Sequence, residues 1–513
     1  MIKIGSNEIT LNDFKKILIE KQTVELDIGA LKKVENNYNF LKRFVKDKVI
    51  YGINTGFGPM AQYLIDEDKL IELQYNLIRS HASGSGKNIP NILVKASMVA
   101  RLISLMRGYS GVHPTVVILL QSFINKEIYP LIPEHGGVGA SGDLVQLAHI
   151  ALTLIGEGEV SFDGQIISTE DALLAQDLKA IDIHIREGIS IINGTAVMTG
   201  IGLINVIRAK QLLGWSLLCA GFIAQIIESY DDFYSLKLNS LKRHMGQMSI
   251  SKCLNDILFN SGLIKKRSEH LFNSDHKAGE LKEKVQENYS LRCVPQILGP
   301  VLDTIDFSEK ILIEEINSVN DNPIIDEENE TAIHGGNFHG DYVALEMDKL
   351  KIAITKLSML AERQLNFLLN DRLNGILPPF INLGKLGLNF GMQGLQFTAT
   401  STVAENQTLS FPMYIHSIPS NNDNQDIVSM GVNAAEITRK VIENTFEVLA
   451  IEWIGILQAI DYLGTKNKLS PKTYSIYKTL REIVPTFVHD SLKYKDIESI
   501  KKVLISTEPN LFR

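Results

Sequence analysis

The stretch Ile442-Glu-Asn-Thr-Phe-Glu-Val-Leu-Ala-Ile-Glu-Trp-Ile-Gly-Ile-Leu-Gln-Ala-Ile-Asp-Tyr-Leu463 decides the fold class. Ile442, Phe446, Leu449, Trp453, Ile456, Ile460 and Leu463 recur at alternating steps of four and three, which lays one heptad-like apolar seam along a single long helix. Upstream, Met347, Leu350, Ile354, Leu357, Leu360, Gln364 and Leu368 follow a nearly parallel pattern, separated largely by Lys, Glu, Arg and Thr. Two helices of this length predict a mainly α bundle rather than a sheet protein. Helices are also predicted over 143–155 and 309–317. Strand signals are short: Glu159 to Phe162 and Gln165 to Ser168, with Asp163-Gly164 between them, read as a small hairpin. The division expected is an N-terminal domain over 1–197 and a long-helix domain over 198–513. The seam can be buried against helices of its own or of other chains, and so is also a reason to expect association.

Length and composition agree with a large buried core: 513 residues, 45% of them apolar. A net charge of −8 argues against a phosphate-backbone binder, so no nucleic-acid partner is expected. Three widely separated cysteines, Cys219, Cys253 and Cys293, draw neither a disulfide framework nor a CxxC zinc site, and suggest a reducing, cytoplasmic setting. The N-terminus lacks a continuous apolar run of signal-peptide type. Two uncharged runs deserve a membrane test. The one between Glu187 and Arg208 carries four glycines, two asparagines, two threonines and a serine, and Gln211 to Ile227 has only 17 residues. Both read as buried core segments.

Chemistry is sought in the irregular connections. Glu134-His-Gly-Gly-Val-Gly-Ala-Ser-Gly-Asp143 packs four glycines into ten residues and admits three readings. Gly137 to Gly142 matches GxGxxG, the dinucleotide fingerprint, and Asp163 follows about twenty residues on, as in a dehydrogenase. Pro130 and Pro133, however, interrupt the strand that should precede it. Ser141, Asp143 and His149 are the residue types of a hydrolytic triad, but a nucleophile elbow is GxSxG and the position two after Ser141 is Asp143. In the third reading, a tight bend made possible by Gly139 and Gly142 brings the Gly142 nitrogen onto the Ala140 carbonyl carbon. Ring closure with loss of two waters then leaves a methylidene-imidazolone, an electrophile that no ordinary side chain supplies.

Gly137-Val-Gly-Ala-Ser-Gly-Asp-Leu-Val-Gln-Leu-Ala-His149 closely resembles the signature of the histidine and aromatic amino acid ammonia-lyases. Further segments follow in that family's order: Tyr51-Gly-Ile-Asn-Thr-Gly-Phe-Gly58, Ile192-Asn-Gly-Thr195, Tyr289-Ser-Leu-Arg-Cys-Val-Pro-Gln296, Asn320-Asp-Asn-Pro323, Gly335-Gly-Asn-Phe-His-Gly340 and Asn424-Gln-Asp-Ile-Val-Ser-Met430. The resemblance spans about residues 50 to 430. It implies a fumarase/aspartase-like elongated helical bundle and a homotetramer whose active sites draw on three chains. It also implies a methylidene-imidazolone (MIO) formed from Ala140, Ser141 and Gly142, and elimination of ammonia from an α-amino acid. By the same correspondence Tyr51 is the base for the β-proton, although an unperturbed phenol ionises only near ~10. An alkaline optimum is therefore expected. Asn193 and Tyr289 stand beside the ring, Arg292 takes the substrate carboxylate, and Gly58 and Phe338 line the pocket. Gln286 is a further candidate if a helix places it one turn before Tyr289. His334 and His339, five apart, could suggest a metal pair, but no third ligand is visible and no metal is expected.

Substrate choice in this family depends largely on a dipeptide that is Ser80-His81 here. A polar pair can bind a phenol or an imidazole, and should reject phenylalanine by leaving buried polar groups unpaired. Histidine lyases also carry Ser-His, yet they place a Glu where this chain has Gln425. Together with Tyr51 to Tyr63 (YGINTGFGPMAQY), these features resemble the bacterial, flavobacterial-type tyrosine ammonia-lyases. L-tyrosine is the expected substrate and His81 the expected partner of its hydroxyl. L-histidine, a tyrosine 2,3-aminomutase reaction and phenylalanine are the alternatives.

Overall fold

A computed structural model describes residues 1–272, 278–281, 283–509 and 511. Helices dominate, and four are long: Ala196–Ile226, Val294–Ile316, Asp341–Leu369 and Gly431–Leu463. The last contains the opening stretch. Ile442, Phe446, Leu449, Trp453, Ile456 and Ile460 are buried, and Leu463 is half-buried. Val448, Ile451, Ile454 and Leu457, on the helix's other sides, are equally buried. From Val448 to Ile460 the helix is therefore enclosed all round within one chain, and its seam there is not a free face awaiting a partner. Trp453 meets Trp215 and Phe222 edge-on, with ring centroids 5.7 and 5.0 Å apart.

The predicted helix over 309–317 is the end of Val294–Ile316. Its start is hidden in sequence by Pro295, tolerable in a first turn, and by Gly299-Pro300, which breaks the apolar pattern. The helix expected over 143–155 is Leu144–Leu154. Both uncharged runs fall mainly in Ala196–Ile226. That helix is long and apolar enough to cross a membrane by length and composition, but 89% of its apolar window is buried, as in a core helix.

The hairpin forms as read: Glu159–Phe162 pairs antiparallel with Gln165–Ser168, and Asp163 and Gly164 both take positive φ, 48° and 76°. The strand ahead of the glycine-rich segment, Pro133–His135, pairs antiparallel with Ser85–Asn88. Among the described residues the one parallel strand pair is Ile2–Ile4 with Val24–Leu26. A dinucleotide fold needs its glycine loop to follow a strand of a parallel sheet, so the dehydrogenase reading falls.

Two compact units emerge: Met1–Ile207 with Ser308–Asp348 and Pro412–Arg439, and Arg208–Phe307 with Lys349–Phe411 and Lys440–Arg513. The contiguous division at residue 197 is thus replaced by an interleaved one. Breaks at 207, 307, 348 and 439 fall inside long helices, where a search for linkers does not look.

One buried group in the second unit is costly. Glu452 lies within Gly431–Leu463, is 0% exposed, and no N–H or O–H donor reaches either oxygen of its carboxyl. Burial raises its pKa well above the carboxylate range, opposed only by the Cys219 thiol. An acid whose folded-state pKa is raised destabilises the fold increasingly as pH climbs above its unfolded value. Glu452→Gln is accordingly expected to gain about 1–3 kcal/mol at pH 8, the scale of an unpartnered buried polar group, and little near pH 4. Denaturant melts at both pH values check this; equal gains at the two would show that ionisation is not the cost.

Candidate active site

The glycine-rich segment bends between Pro133–His135 and Leu144–Leu154. Gly139 and Gly142 adopt φ of 75° and 72°. A Cβ on Gly139 would strike the Ser429 hydroxyl, and one on Gly142 the Gly194 carbonyl, so both positions require glycine. Ala140 is buried against Val428 and Met430. The Gly139 carbonyl accepts from Ser429 Oγ at 2.9 Å and from the Gly340 amide at 3.1 Å. On the other side the Asp143 amide donates to Gly194 O at 2.8 Å. Ser141 is gripped twice: Asn193 Nδ2 donates to its carbonyl, and Gln425 Nε2 to its Oγ, each at 2.9 Å.

Asp143 serves as a cap. One carboxyl oxygen accepts from the amides of Val197 and Met198 at 2.7 and 3.0 Å, at the start of Ala196–Ile226. The other oxygen is unpartnered, and burial pushes this carboxyl up to about 7. His149 Nε2 accepts from the Gly84 amide at 3.2 Å. These partners leave Ser141, Asp143 and His149 without the hydrogen-bond chain of a hydrolase triad.

Ser141 lies in the wall of a cleft of about 560 Å³ together with Tyr51, Gly58, His81, Asn193, Phe338 and Gln425. Seven segments singled out in the sequence, with Asn322 contributing for Asn320–Pro323, thus meet in one place. The Gly58 amide donates to the Tyr51 phenol oxygen at 3.1 Å, and the Phe57 ring stands edge-on to Tyr51 at 6.2 Å. Gly58 itself has φ 53°, and a Cβ there would press on the Asn421 amide. The Gln425 side chain is oriented by its own loop. Its backbone pairs with Ser420 in both directions, and Ser420 Oγ donates to Oε1 at 3.3 Å, leaving the NH₂ for Ser141.

The Ser80-His81 pair divides. His81, at the end of Leu70–His81, lines the cleft, whereas Ser80 is exposed and does not. His81 Nδ1 lies 3.0 Å from the Leu77 carbonyl and 3.1 Å from Ser80 Oγ, which itself donates to that carbonyl at 3.2 Å. A carbonyl can only accept, so the neutral tautomer that satisfies this contact carries its proton on Nδ1 and has Nε2 as an acceptor.

Several wall residues escaped the sequence reading, among them Asn322, Asn421 and Asn424. Asn322 and Asn424 sat inside quoted motifs without a role. The signal for Asn421 was the Asn/Asp-rich run after Ser420: Asn421, Asn422 and Asp423 take consecutive φ of 53°, 57° and 59°, which these side chains tolerate best. His334 lines the cleft. His339 is taken up by Asp341 at 3.5 Å and the Ile427 carbonyl at 3.2 Å. No group of three metal-ligating side chains occurs among the described residues.

Tyr289 and Arg292 belong to the second unit and do not line this cleft. They form the short helix Tyr289–Arg292, with the guanidinium 4.8 Å from the Tyr289 ring centroid and Arg292 Nε donating to Glu287 O at 3.0 Å. Tyr289 is 70% exposed. Gln286 precedes the helix instead of sharing it, so the turn-spacing proposed for it does not form.

Residues 9–482 match the family model described as "Aromatic amino acid lyase". The chain is 39% identical to a tyrosine 2,3-aminomutase from Chondromyces crocatus over 98% of this chain and 95% of that protein. To a histidine ammonia-lyase from Geobacillus sp. it is 37% identical, covering 97% and 95%. The solved tyrosine aminomutase from Streptomyces globisporus superposes with a TM-score of 0.94 at 34% identity, covering 98% of this chain and 96% of that one.

Proposed function

The chain belongs to the aromatic amino acid lyase family, and we propose that within it this enzyme eliminates ammonia from L-tyrosine to give trans-p-coumarate. The observation that carries the substrate is His81 in the cleft wall with its Nδ1 3.0 Å from the Leu77 carbonyl. An Nε2 acceptor in the cleft wall suits a phenol O–H, while phenylalanine would leave it unpaired. A substrate imidazole can also donate, but the carboxylate that histidine lyases place at position 425 is replaced by an amide already engaged with Ser141 and Ser420.

The Ala140-Ser141-Gly142 bend fits closure to an MIO. Gly142 lacks a Cβ, its φ is left-handed, Ala140 is buried, and donors sit on both Ser141 oxygens. A bond forms between Gly142 N and the Ala140 carbonyl carbon. The Ala140 oxygen leaves as water with the protons of Gly142 N and Ser141 N, and the Ser141 hydroxyl leaves as a second water with its Cα proton. Once formed, the group supplies an electrophile that turns the substrate's amine into a leaving group. Tyr51 removes the β-proton, its phenol oxygen held by the Gly58 amide. The Asn193 amide steadies the Ser141 carbonyl as negative charge develops there.

Among the described residues lining the cleft there is no Lys or Arg to receive the substrate carboxylate. This supports a homotetramer in which Arg292 and the exposed Tyr289 complete a neighbouring chain's site. Phe390, Phe397 and Phe411, each more than half exposed, are further surface for such an assembly. Three free thiols suit a cytoplasmic setting.

A second reading is favoured by the 39% relative: a tyrosine 2,3-aminomutase would return the ammonia to Cβ in the same cleft. Separate incubations with L-Tyr, L-His and L-Phe, with product identification, test the proposal. Coumarate from Tyr supports it, β-tyrosine as the main product favours the mutase, and urocanate without coumarate would sink it. His81→Phe is expected to move the Tyr/Phe ratio of kcat/KM toward phenylalanine by about 100-fold or more, since it removes the acceptor that penalises an apolar ring. An unchanged ratio would show that His81 does not read the phenol.

A further inference from the structure

The Asn193-Gly194 turn touches the reactive bend at three points: Asn193 on the Ser141 carbonyl, Gly194 O on the Asp143 amide, and the Gly194 backbone against Gly142. What lies beneath this turn is a guanidinium. Arg101, on the helix Asn91–Met106, is 0% exposed. Its Nη2 donates to the Ser190 carbonyl, three residues ahead of Asn193, and its Nη1 to Asn320 Oδ1 at 3.1 Å. A Cβ on Gly194, whose φ is 150°, would stand 2.5 Å from both Arg101 Nη1 and Asn320 Oδ1, so the turn's backbone rests on that pair. Asn320 extends the grip, its Nδ2 donating to Thr195 Oγ1 at 2.8 Å, and Thr195 donates in turn to the Glu315 carboxylate. Residues on both sides of Asn193 are thereby tied to one guanidinium–amide pair.

This arrangement is a poor bargain for stability alone. Both hydrogen bonds of Arg101 go to neutral acceptors, the carboxylates of Asp321 and Asp143 act on it only through space, and its Nε has no hydrogen-bond partner. The neighbouring Arg186, equally buried, has Asp321 at 3.2 Å. A buried guanidinium resting on neutral acceptors costs free energy that an apolar side chain would not. What it provides is a planar fork with two fixed directions.

We propose that Arg101 is a positioning residue for the Asn193-Gly194 turn, and that Ala140-Ser141-Gly142 closes efficiently only in the frame this turn provides. The proposal rests on the reading that the tripeptide cyclises. Small misplacements matter in such a closure, since errors of about 1 Å in a reacting geometry cost on the order of 10²-fold in rate.

The test is the intact mass of purified wild-type, Arg101→Met and Arg101→Lys chains, with circular dichroism, kcat and KM. Arg101→Met is expected to remain folded, to contain a substantial fraction of chains at full mass, and to lose about 100-fold in kcat with KM changed only a few-fold. Arg101→Lys, a cation without the fork, should fall between it and wild type. A folded Arg101→Met with the complete two-water deficit and wild-type kcat overturns the proposal. If Arg101→Met does not fold, Asn320→Ala, which leaves the guanidinium and cuts its link to Thr195, reads the same quantity. Incomplete closure then supports the proposal, and complete closure with unchanged kcat defeats it. A wild-type chain at full mass defeats instead the cyclisation reading on which it rests.

Discussion

Ser141→Ala is expected to abolish turnover of every amino acid substrate, lowering kcat by about 10³-fold or more, a loss of at least ~4 kcal/mol of transition-state stabilisation. The purified variant should have its full calculated mass, whereas wild type should be lighter by two waters. On the proposed cyclisation the Ser141 hydroxyl departs as one of those waters, and alanine has no hydroxyl to lose. The fold should survive, because the backbone contacts of the bend, Gly139 O with Gly340 and Asp143 N with Gly194 O, do not involve the Ser141 side chain. Only the Gln425 amide loses a partner. A variant that keeps wild-type kcat would show that Ser141 is merely structural.

The helical class was legible because apolar spacing survives averaging over a long window. The 442–463 stretch left open whether its seam is buried against helices of its own chain or of another. Its seam residues were real, but Val448, Ile451, Ile454 and Leu457 fill the gaps between them, and an apolar stripe with apolar filling is a core helix, not a dimer face. The interleaved units were not legible, since nothing local in 308–348 or 412–439 announces that these segments join residues 1–207.

The site divides along similar lines. Tyr51, Ser141, Asn193, Phe338 and Gln425 stand in irregular Gly- and Asn-rich connections, where composition departs from its surroundings and a motif can be seen. That His81 faces the cleft and Ser80 does not is settled by helix rotation over a single residue, beyond what a dipeptide discloses. Arg101 is the extreme case. In Val99-Ala-Arg-Leu-Ile-Ser-Leu-Met106 it reads, like Lys95 before it, as a cation on an apolar helix, and only long-range partners, Ser190 and Asn320, reveal why it is buried.

Tyr51→Phe removes one oxygen and is expected to lower kcat by about 10³-fold while leaving the two-water mass deficit and the fold intact. That combination would separate Tyr51 from Ser141: on the proposed roles the phenol takes the β-proton from the substrate and has no part in building the electrophile. The ring stays in place against Phe57, so packing changes little, and the lost contact is the hydrogen bond from the Gly58 amide. That amide sits on the oxygen which would carry negative charge when Tyr51 acts as a base. The sign of the pH dependence follows. A base that works only when deprotonated gives wild-type kcat/KM a limb rising toward alkaline pH, and the residual activity of Tyr51→Phe should lack it. Measuring both profiles on L-tyrosine decides the matter: a variant that retains the rising limb, or a wild-type rate flat from neutral to alkaline pH, excludes Tyr51 as the base and moves the search to the other polar residues of the cleft wall.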